Sequence, residues 1–131
     1  NLFSVGKNEL LFYYAALDAV KENNDGKKIA LLNNILNELS QRLKANGIQL
    51  IVLPCPDKYD VYYDYIFDKR YPKPLFFDYL NRMDKDYLYI NSKAILTEAI
   101  KFQKDIYFFD DTYWSPWASK LISEKISRLC K

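Results

Sequence analysis

Residues 28–54, KIALLNNILNELSQRLKANGIQLIVLP, decide the fold because they join a helical pattern to a strand pattern. Gly47 stands between the two patterns, where a helix C-terminal cap is expected. Residues 48–53 (IQLIVL) form a short apolar run, ended by Pro54, that predicts a strand buried on both faces. A helix that leads into a buried strand is typical of an α/β layer. The helix is predicted from Lys28 to Asn46 by apolar residues at spacings of three and four, namely Ile29, Leu32, Leu36, Leu39 and Leu43.

The rest of the chain repeats this alternation. Before residue 28 we expect a turn at residues 6–8, in a hairpin or an extended lead-in, and a polar loop over residues 21–27. Further strands are predicted at residues 87–91 and 106–109. Helices are predicted over residues 59–67, 75–83, 93–102 and 117 to the C-terminus, the last two capped by Ser92 and Ser115. The alternation predicts one domain, residues 1–131, with a three-layer α/β fold and a mostly parallel sheet with helices on both faces.

Two loops follow predicted strands and carry polar and aromatic residues. PCPDKYD (residues 54–60) follows the first strand, and DDTYWSPW (residues 110–117) follows the third. Because ligands bind beyond the carboxyl ends of strands in open α/β sheets, we expect both loops to lie at the functional edge.

Composition excludes some classes of partner. The chain has 19 basic and 17 acidic residues, mixed along its length, for a net charge of +2. No basic stripe offers a footprint for phosphates, so nucleic acid is not an expected partner. No apolar run approaches the ~20 residues of a membrane span, and no signal-peptide pattern opens the chain. Because the first residue is Asn1 rather than methionine, we expect that an upstream leader or anchor was removed or left out.

The sequence contains no histidine. This removes the usual general base near neutral pH and the commonest transition-metal ligand, and we predict neither a metal nor a cofactor. Cys55 and Cys130 have no CxxC or metal-ligand spacing. They fit one disulfide, two buried thiols or one of each, and buried thiols are favoured because free cysteine is among the most buried residue types.

The DDTYWSPW junction allows a structural and a functional interpretation. Structurally, Asp110, Asp111 or Ser115 satisfies backbone donors at the start of the last helix, where such groups stabilise by about 1 kcal/mol. Trp114 and Trp117 would then anchor that helix in the core. Functionally, the same residues form a retained binding site or a catalytic corner. The structural interpretation is the favoured one.

The long segment of residues 54–74 offers three candidate interactions. Asp57, Asp60, Asp64 and Asp68 either line one face that suits a hard cation such as calcium or, as favoured, form a solvated face. Lys58 either points its ammonium at the site, to hold an anionic sugar or a carboxylate, or lies on the surface, which is favoured. Clustered tyrosines either bind a sugar or a protein partner or cover the loop with aromatic rings, and these are Tyr59, Tyr62, Tyr63, Tyr65 and Tyr71.

Three ordered motifs resemble one known family. They are GKNELLFY (residues 6–13), ANGIQLIVLPCPDKYDVYYDYI (residues 45–66) and DDTYWSPWAS (residues 110–119). Together they resemble the SGNH-hydrolase-like domain of the alginate O-acetyltransferase family. In that family a GK-x-x-x-LFY segment, a strand followed by P-x-P-x-K, and a D-x-H-W-S/T-P motif occur in this order. The resemblance covers nearly the whole chain and implies an SGNH-hydrolase-like fold.

The resemblance also implies an acyl-transfer site. Members use a serine nucleophile, activated by a histidine that an aspartate orients, and move acetyl groups onto polysaccharide hydroxyls outside the cytoplasm. Aligned on the motif, Asp111 is the orienting aspartate and Tyr113 stands at the histidine position. A periplasmic or extracellular location follows from the same resemblance. The substrate-binding residues that it implies are Lys58, Tyr59, Trp114 and Ser115.

Two departures from the family pattern indicate a degenerate or incomplete site. A tyrosine, with an ordinary pKa of about 10, is a poor acceptor for a serine proton near neutral pH. The 131 residues therefore cannot assemble a Ser-His-Asp triad by themselves. The family's serine follows the D-x-H motif by many tens of residues, whereas only residues 117–131 follow it here. We expect the domain to lack the nucleophile segment, either as a piece of a longer protein or as a shortened member.

Two functions therefore stay open. The first is an extracytoplasmic polysaccharide O-acetyltransferase-like or esterase-like domain that is degenerate or incomplete. The alternative is a non-catalytic module on the same fold, whose aromatic loop binds a polysaccharide or a protein partner.

Overall fold

A computed structural model describes residues 2–5 and 10–130. The turn predicted at residues 6–8 lies outside the described residues. Residues 10–13 have no regular structure and lead into helix α1 (Tyr14–Asn23), which the sequence pattern did not predict. The loop predicted over residues 21–27 is wrong over most of its length, because only residues 24 and 25 separate α1 from the next helix.

Helix α2 (Gly26–Ala45) confirms the longest predicted helix and starts two residues before the predicted boundary. The carboxylate of Asp25 accepts the N–H groups of Lys27 at 3.0 Å and Lys28 at 3.3 Å. These are two of the first-turn donors that have no partner within a helix. The cap at Asp25 therefore explains why the helix begins inside the predicted loop.

Gly47 ends α2 as predicted. Its φ is +74°, in the left-handed region that glycine adopts without steric cost. The N–H groups of Gly47 and Ile48 donate to the carbonyls of Lys44 and Leu43, both at 2.9 Å. This pair of bonds satisfies carbonyls that the helix end would otherwise leave open.

The buried face of α2 is more polar than the predicted apolar stripe. Ile29 is the one member of that stripe that is fully buried, beside Asn33 and Ser40. The Asn33 amide donates to the carbonyl of Asp84 at 2.9 Å, and its oxygen accepts the Tyr87 hydroxyl at 2.6 Å. Because these bonds hold a polar side of the helix inward, several apolar side chains face solvent. The exposed ones are Leu31, Leu32, Ile35 and Leu39.

Two short parallel strands form the sheet in the described residues. Strand β1 (Ile51–Val52) pairs with β2 (Leu88–Tyr89), with Ile51 opposite Leu88 and Val52 opposite Tyr89. The parallel direction agrees with the prediction. Both strands lie inside the predicted runs but are shorter, and β1 is half-buried rather than buried on both faces.

The predicted third strand, residues 106–109, is not a strand. Tyr107 forms an isolated antiparallel bridge with Trp114, and the N–H of Ser115 donates to the carbonyl of Ile106 at 2.8 Å. The apolar run therefore pairs with its own return segment instead of with the sheet. A three-layer arrangement is accordingly not confirmed within residues 2–5 and 10–130.

The remaining predicted helices are confirmed, with three of them shorter than expected. The cap of the helix after β2 is Asn91, whose Oδ1 accepts the N–H of Ala94 at 3.1 Å. Ser92, the predicted cap, instead donates its hydroxyl to the Pro54 carbonyl. Ser115 lies at the cap position of the last helix, with proline in its first turn, but its side chain makes no capping hydrogen bond, so the predicted hydroxyl cap is wrong. These helices are α3 (Lys58–Tyr62), followed by a 3₁₀ turn (Tyr63–Tyr65), α4 (Phe76–Asn81), α5 (Ser92–Ala99) and α6 (Pro116–Leu129).

The hydrophobic core lies where α3, α5 and α6 meet the segment before the DDTYWSPW motif. The Tyr62 ring is completely buried, stacks on Phe3 with centroids 5.4 Å apart, and meets the edge of Tyr107 at 5.9 Å. The core therefore fixes the start of the motif loop against three helices. Other buried members are Val61, Leu96, Ile100, Ile106, Ala118 and Ile122.

The two cysteines contradict the favoured prediction. Both Cys55 and Cys130 are free and exposed, so they are neither buried nor joined in a disulfide. Cys55 lies in the loop just beyond β1, and Cys130 directly follows the last helical residue of α6. Among the described helices, none is long and apolar enough to cross a membrane.

We expect Gly47→Ala to lower the free energy of unfolding by about 1 kcal/mol. An added methyl group would meet no atom within 4 Å, so the cost arises from the backbone angle and not from a collision. Urea denaturation followed by far-UV circular dichroism measures this loss. Gly26→Ala is the matched control, because its Cβ would make only ordinary contacts with Tyr79, at 3.6 Å or more, and the substitution should be neutral or slightly stabilising. Equal losses in both variants would contradict the assignment.

Candidate active site

The two loops predicted at the functional edge line one cleft. It has a volume of about 640 Å³ and lies between the segment that follows β1 and the segment that leads into α6. The size is within the range of small-molecule sites in proteins. The lining residues are Cys55, Pro56, Asp57, Tyr107, Thr112, Tyr113, Trp114, Pro116 and Ser119. We call this space the motif cleft.

Of the two predicted catalytic positions, Tyr113 lines the motif cleft, and Asp111 directly precedes the first lining residue of this loop, Thr112. The Asp111 carboxylate accepts the N–H of Tyr113 at 3.1 Å, which closes a tight turn typical of aspartate. The Tyr113 side chain lines the cleft and is 78% exposed. The carboxylate therefore shapes the backbone of the turn, while the phenol is open to solvent.

Trp114 and Ser115 occupy different environments, although they are adjacent. Trp114 is half-buried and forms part of the cleft wall. Ser115 is buried, and its hydroxyl has no hydrogen-bond partner among the described residues. Trp114 is thus placed to contact a ligand, whereas the hydroxyl of Ser115 is enclosed.

Lys58 is buried, so the favoured prediction of a surface lysine is wrong. Only 3% of the residue is exposed, and its ammonium donates to the carbonyls of Phe108 and Phe109, both at 2.7 Å. The ring centroids of Phe3 and Phe12 lie 5.3 and 5.8 Å from the Lys58 nitrogen. Lys58 therefore binds the backbone just before the two aspartates of the motif.

Burial and two nearby carboxylates shift the pKa of Lys58 in opposite directions. Burial lowers the pKa of the ammonium from its ordinary value to about 8, while the charges of Asp110 and Asp111 act in the opposite direction. The group faces the motif loop, as the functional interpretation required, but two of its three N–H donors are used by protein carbonyls. The arrangement positions the loop and leaves the ammonium less available for an anionic ligand.

Tyr59 lies away from the motif cleft. Its ring is buried, and its hydroxyl donates toward the carbonyls of Tyr71 at 3.0 Å and Pro72 at 3.1 Å. Burial raises the pKa of this phenol to about 12. Tyr59 lines a second cleft, whose opposite wall is formed by Leu10 and Phe12 of the N-terminal segment.

Asp57 and Asp60 are functional candidates that sequence reasoning underestimated. The N–H of Asp57 donates to the Asp60 carboxylate at 2.7 Å, and Asp57 lines the motif cleft. Burial raises the pKa of Asp60 to about 6, although the Asp57 N–H and the charge of Lys93 lower it. Burial also raises the pKa of Asp57. The spacing of three residues between two acidic side chains at a helix start was the signal that could have revealed this pair.

The four aspartates of this segment do not share one face. Asp57 and Asp60 are partly enclosed, whereas Asp64 and Asp68 are exposed. The described part of the chain contains no cluster of three or more cysteine or acidic side chains that could hold a metal ion. The alternative of a calcium-binding face therefore gains no support.

The motif cleft combines aromatic surface with hydrogen-bonding groups. Trp114 offers an apolar face, and Asp57 and Tyr113 offer acceptors and a donor, whereas the Tyr107 ring is buried behind the cleft. The Tyr107 hydroxyl is itself engaged, since it donates to the Pro56 carbonyl at 2.6 Å. Such a surface suits a ligand rich in hydroxyl groups, and the absence of histidine from the sequence removes the usual proton acceptor.

Comparison with known proteins identifies one family. The family model described as ALGX, "SGNH hydrolase-like domain, acetyltransferase AlgX", matches residues 4–131. No curated protein and no solved structure matches the chain.

We expect Lys58→Met to lower the free energy of unfolding by roughly 2 kcal/mol. The substitution keeps the side-chain length but leaves the carbonyls of Phe108 and Phe109 without their donor. Urea denaturation provides the measurement. Lys120→Met on the exposed side of α6 is the matched control and should change stability little. If both variants unfold like the wild type, the ammonium does not hold the loop.

Asp60 should make stability fall as pH rises. Its pKa in the folded protein, about 6, lies above the ordinary 3.8, so the folded state binds the proton more tightly. This contribution is complete below about pH 4 and is lost as pH rises through about 6, with a size of about 3 kcal/mol.

Urea denaturation at several pH values between 3.5 and 7 tests this expectation. Asp60→Asn should flatten the change between about pH 4 and 6. Asp64→Asn, at an exposed position, should keep the wild-type profile. A wild-type profile in Asp60→Asn would show that another group causes the change.

Proposed function

This chain belongs to the family of SGNH hydrolase-like domains of the acetyltransferase AlgX, and we propose from that membership that it is a polysaccharide O-acetyltransferase-like or esterase-like domain with degenerate catalysis. We propose a periplasmic or extracellular location for it, as the resemblance implies. The proposal also takes the three-layer SGNH architecture as the parent fold, of which the described residues contain a parallel strand pair and flanking helices.

The observation that carries the proposal is the convergence of two motifs on one cleft. The PCPD segment (residues 54–57) and the TYW segment (residues 112–114) are far apart in the chain, yet both line the motif cleft. Lys58, which directly follows the PCPD segment, binds the backbone just before Asp110. This contact joins the same two segments. The family relation supplies the class of chemistry, and the cleft supplies a place for a saccharide.

The degenerate part of the proposal rests on Tyr113. At the histidine position of the motif, a phenol cannot take a proton from a serine and pass it on as an imidazole does. Loss of a triad member costs on the order of 10⁴ to 10⁶ in rate in hydrolases that depend on it. We propose that Asp111 and Tyr113 mark the former catalytic edge.

The substrate-binding roles divide between contact and support. We propose that Trp114 contacts the saccharide in the motif cleft, together with Asp57. Lys58 supports the site by holding the loop. The surroundings of Tyr59 and Ser115 favour support over contact, because one hydroxyl is bound to backbone carbonyls and the other is enclosed.

A second candidate is a non-catalytic module that binds a polysaccharide or a protein partner. The exposed side chain of Tyr113 at the cleft favours it, since an exposed phenol is better suited to contact a ligand than to relay a proton. The two candidates share the cleft and differ in whether any ester is cleaved.

Hydrolysis of p-nitrophenyl acetate separates the two candidates. We expect the wild type and Asp111→Ala to give the same rate, because no triad is present for Asp111 to orient. A faster rate in Tyr113→His that Asp111→Ala removes in the double variant would favour the acetyltransferase-like candidate, and no rate in any form would favour the binding module. Wild-type activity that Asp111→Ala abolishes would contradict the proposed degeneracy.

A further inference from the structure

A second cleft lies between the N-terminal segment and the loop after α3. Its volume is about 340 Å³, and it shares no lining residue with the motif cleft. Aromatic rings dominate its walls, which include Phe12, Tyr59, Tyr65, Phe67 and Tyr71. We call it the aromatic cleft.

The floor of the aromatic cleft is held in place by the protein. The Tyr59 hydroxyl donates toward the carbonyls of Tyr71 and Pro72, which fixes the returning loop. The ring of Tyr59 also meets Phe12 edge-on at 5.6 Å and Tyr63 at 5.6 Å. A ligand would therefore meet a surface that is largely formed before it binds.

The rim of the aromatic cleft carries an exposed ring. Phe67 is fully exposed, and Tyr65 is exposed as well. Single exposed apolar residues are common, but this one borders a concave surface that is already aromatic. A ligand with an apolar face would cover Phe67 while it fills the cleft.

The same rim also carries an ion pair between Asp68 and Arg70. Arg70 Nε lies 2.5 Å from Asp68 Oδ2, and the side chains are 83% and 54% exposed. The guanidinium keeps further N–H donors, and the carboxylate keeps acceptor positions. Neighbouring hydroxyl groups, each both donor and acceptor, match such a pair.

These features together point to a pyranose ring. Its C–H face packs on aromatic side chains, and its edge carries hydroxyls for Asp68 and Arg70. The cleft is concave and small, unlike the broad surfaces of standard protein interfaces. The charged pair at the rim also fits poorly with insertion into a lipid layer.

We propose that the aromatic cleft binds one sugar unit of a polysaccharide, as a second subsite apart from the motif cleft. This rests on the proposed function, because it takes the ligand to be a polysaccharide. The subsite binds the polysaccharide and has no part in acyl chemistry.

Titration with two hexasaccharides tests the subsite, with binding followed by isothermal calorimetry. One probe is a β-1,4-mannuronate hexamer and the other is cellohexaose, so that an acidic and a neutral pyranose are both offered. Phe67→Ala and Arg70→Ala should each weaken binding of the probe that binds by about threefold to tenfold. Phe102→Ala is the matched control, since that ring is 84% exposed and lies outside the cleft, and it should bind like the wild type. Melting temperatures near that of the wild type would show that all variants fold.

Variants of the motif cleft separate this inference from the proposed function. Trp114→Ala removes a wall of the motif cleft, and Trp117→Ala, half-exposed on α6 and outside that cleft, is its control. If Trp114→Ala weakens binding but Phe67→Ala and Arg70→Ala do not, the subsite is wrong and the proposed function stands. If only the latter two weaken it, the subsite stands and the role of the motif cleft falls. Wild-type protein that binds neither probe, or that binds anionic phospholipid vesicles through Phe67 instead, would overturn the subsite.

Discussion

The buried ammonium of Lys58 is the contact on which the geometry of the candidate site depends. Taking such a charge out of water costs several kcal/mol unless it is paired and hydrogen-bonded. Here two charge-assisted bonds to the carbonyls of Phe108 and Phe109, two nearby aspartates and two aromatic rings offset the cost. One of these rings belongs to Phe3 near the N-terminus. Three distant segments of the chain therefore meet at the Lys58 nitrogen. The motif loop therefore takes its shape from a residue about 50 positions earlier.

Helices were the part of this fold that the sequence predicted best. Helix α2 and its glycine end followed from local patterns because capping is a local interaction. The start of α6 followed from the proline in its first turn, although the Ser115 side chain makes no capping bond. The strands were predicted less well. The run at residues 106–109 has the composition of a buried strand, but its backbone pairs with Trp114 and Ser115, and apolar composition does not reveal the partner of a backbone group.

The candidate site shows the same division between local and distant causes. The sequence alternation predicted that two loops lie together, and they line one cleft. It did not predict the burial of Lys58, because the carbonyls that bind it are distant in sequence. Family resemblance predicted Asp111 and Tyr113 as catalytic positions, and the structure adds that the Asp111 carboxylate accepts the N–H of Tyr113 within its own turn. The bond that shapes this turn uses the backbone N–H of Tyr113, so the form of the loop does not depend on the Tyr113 side chain.

The polar contact of α2 has a consequence for how the cleft is positioned. Asn33 and Asn37 bond Asp84, Asp86 and Tyr87 in directional hydrogen bonds just before β2. A slip of the helix by one residue, a rise of 1.5 Å with a rotation of about 100°, would break all of them at once. The hydrophobic effect has no preferred direction, whereas these hydrogen bonds admit one register. Strand β2 pairs with β1, and β1 leads into the PCPD segment. The position of one wall of the motif cleft therefore depends on the register of α2 against the segment before β2.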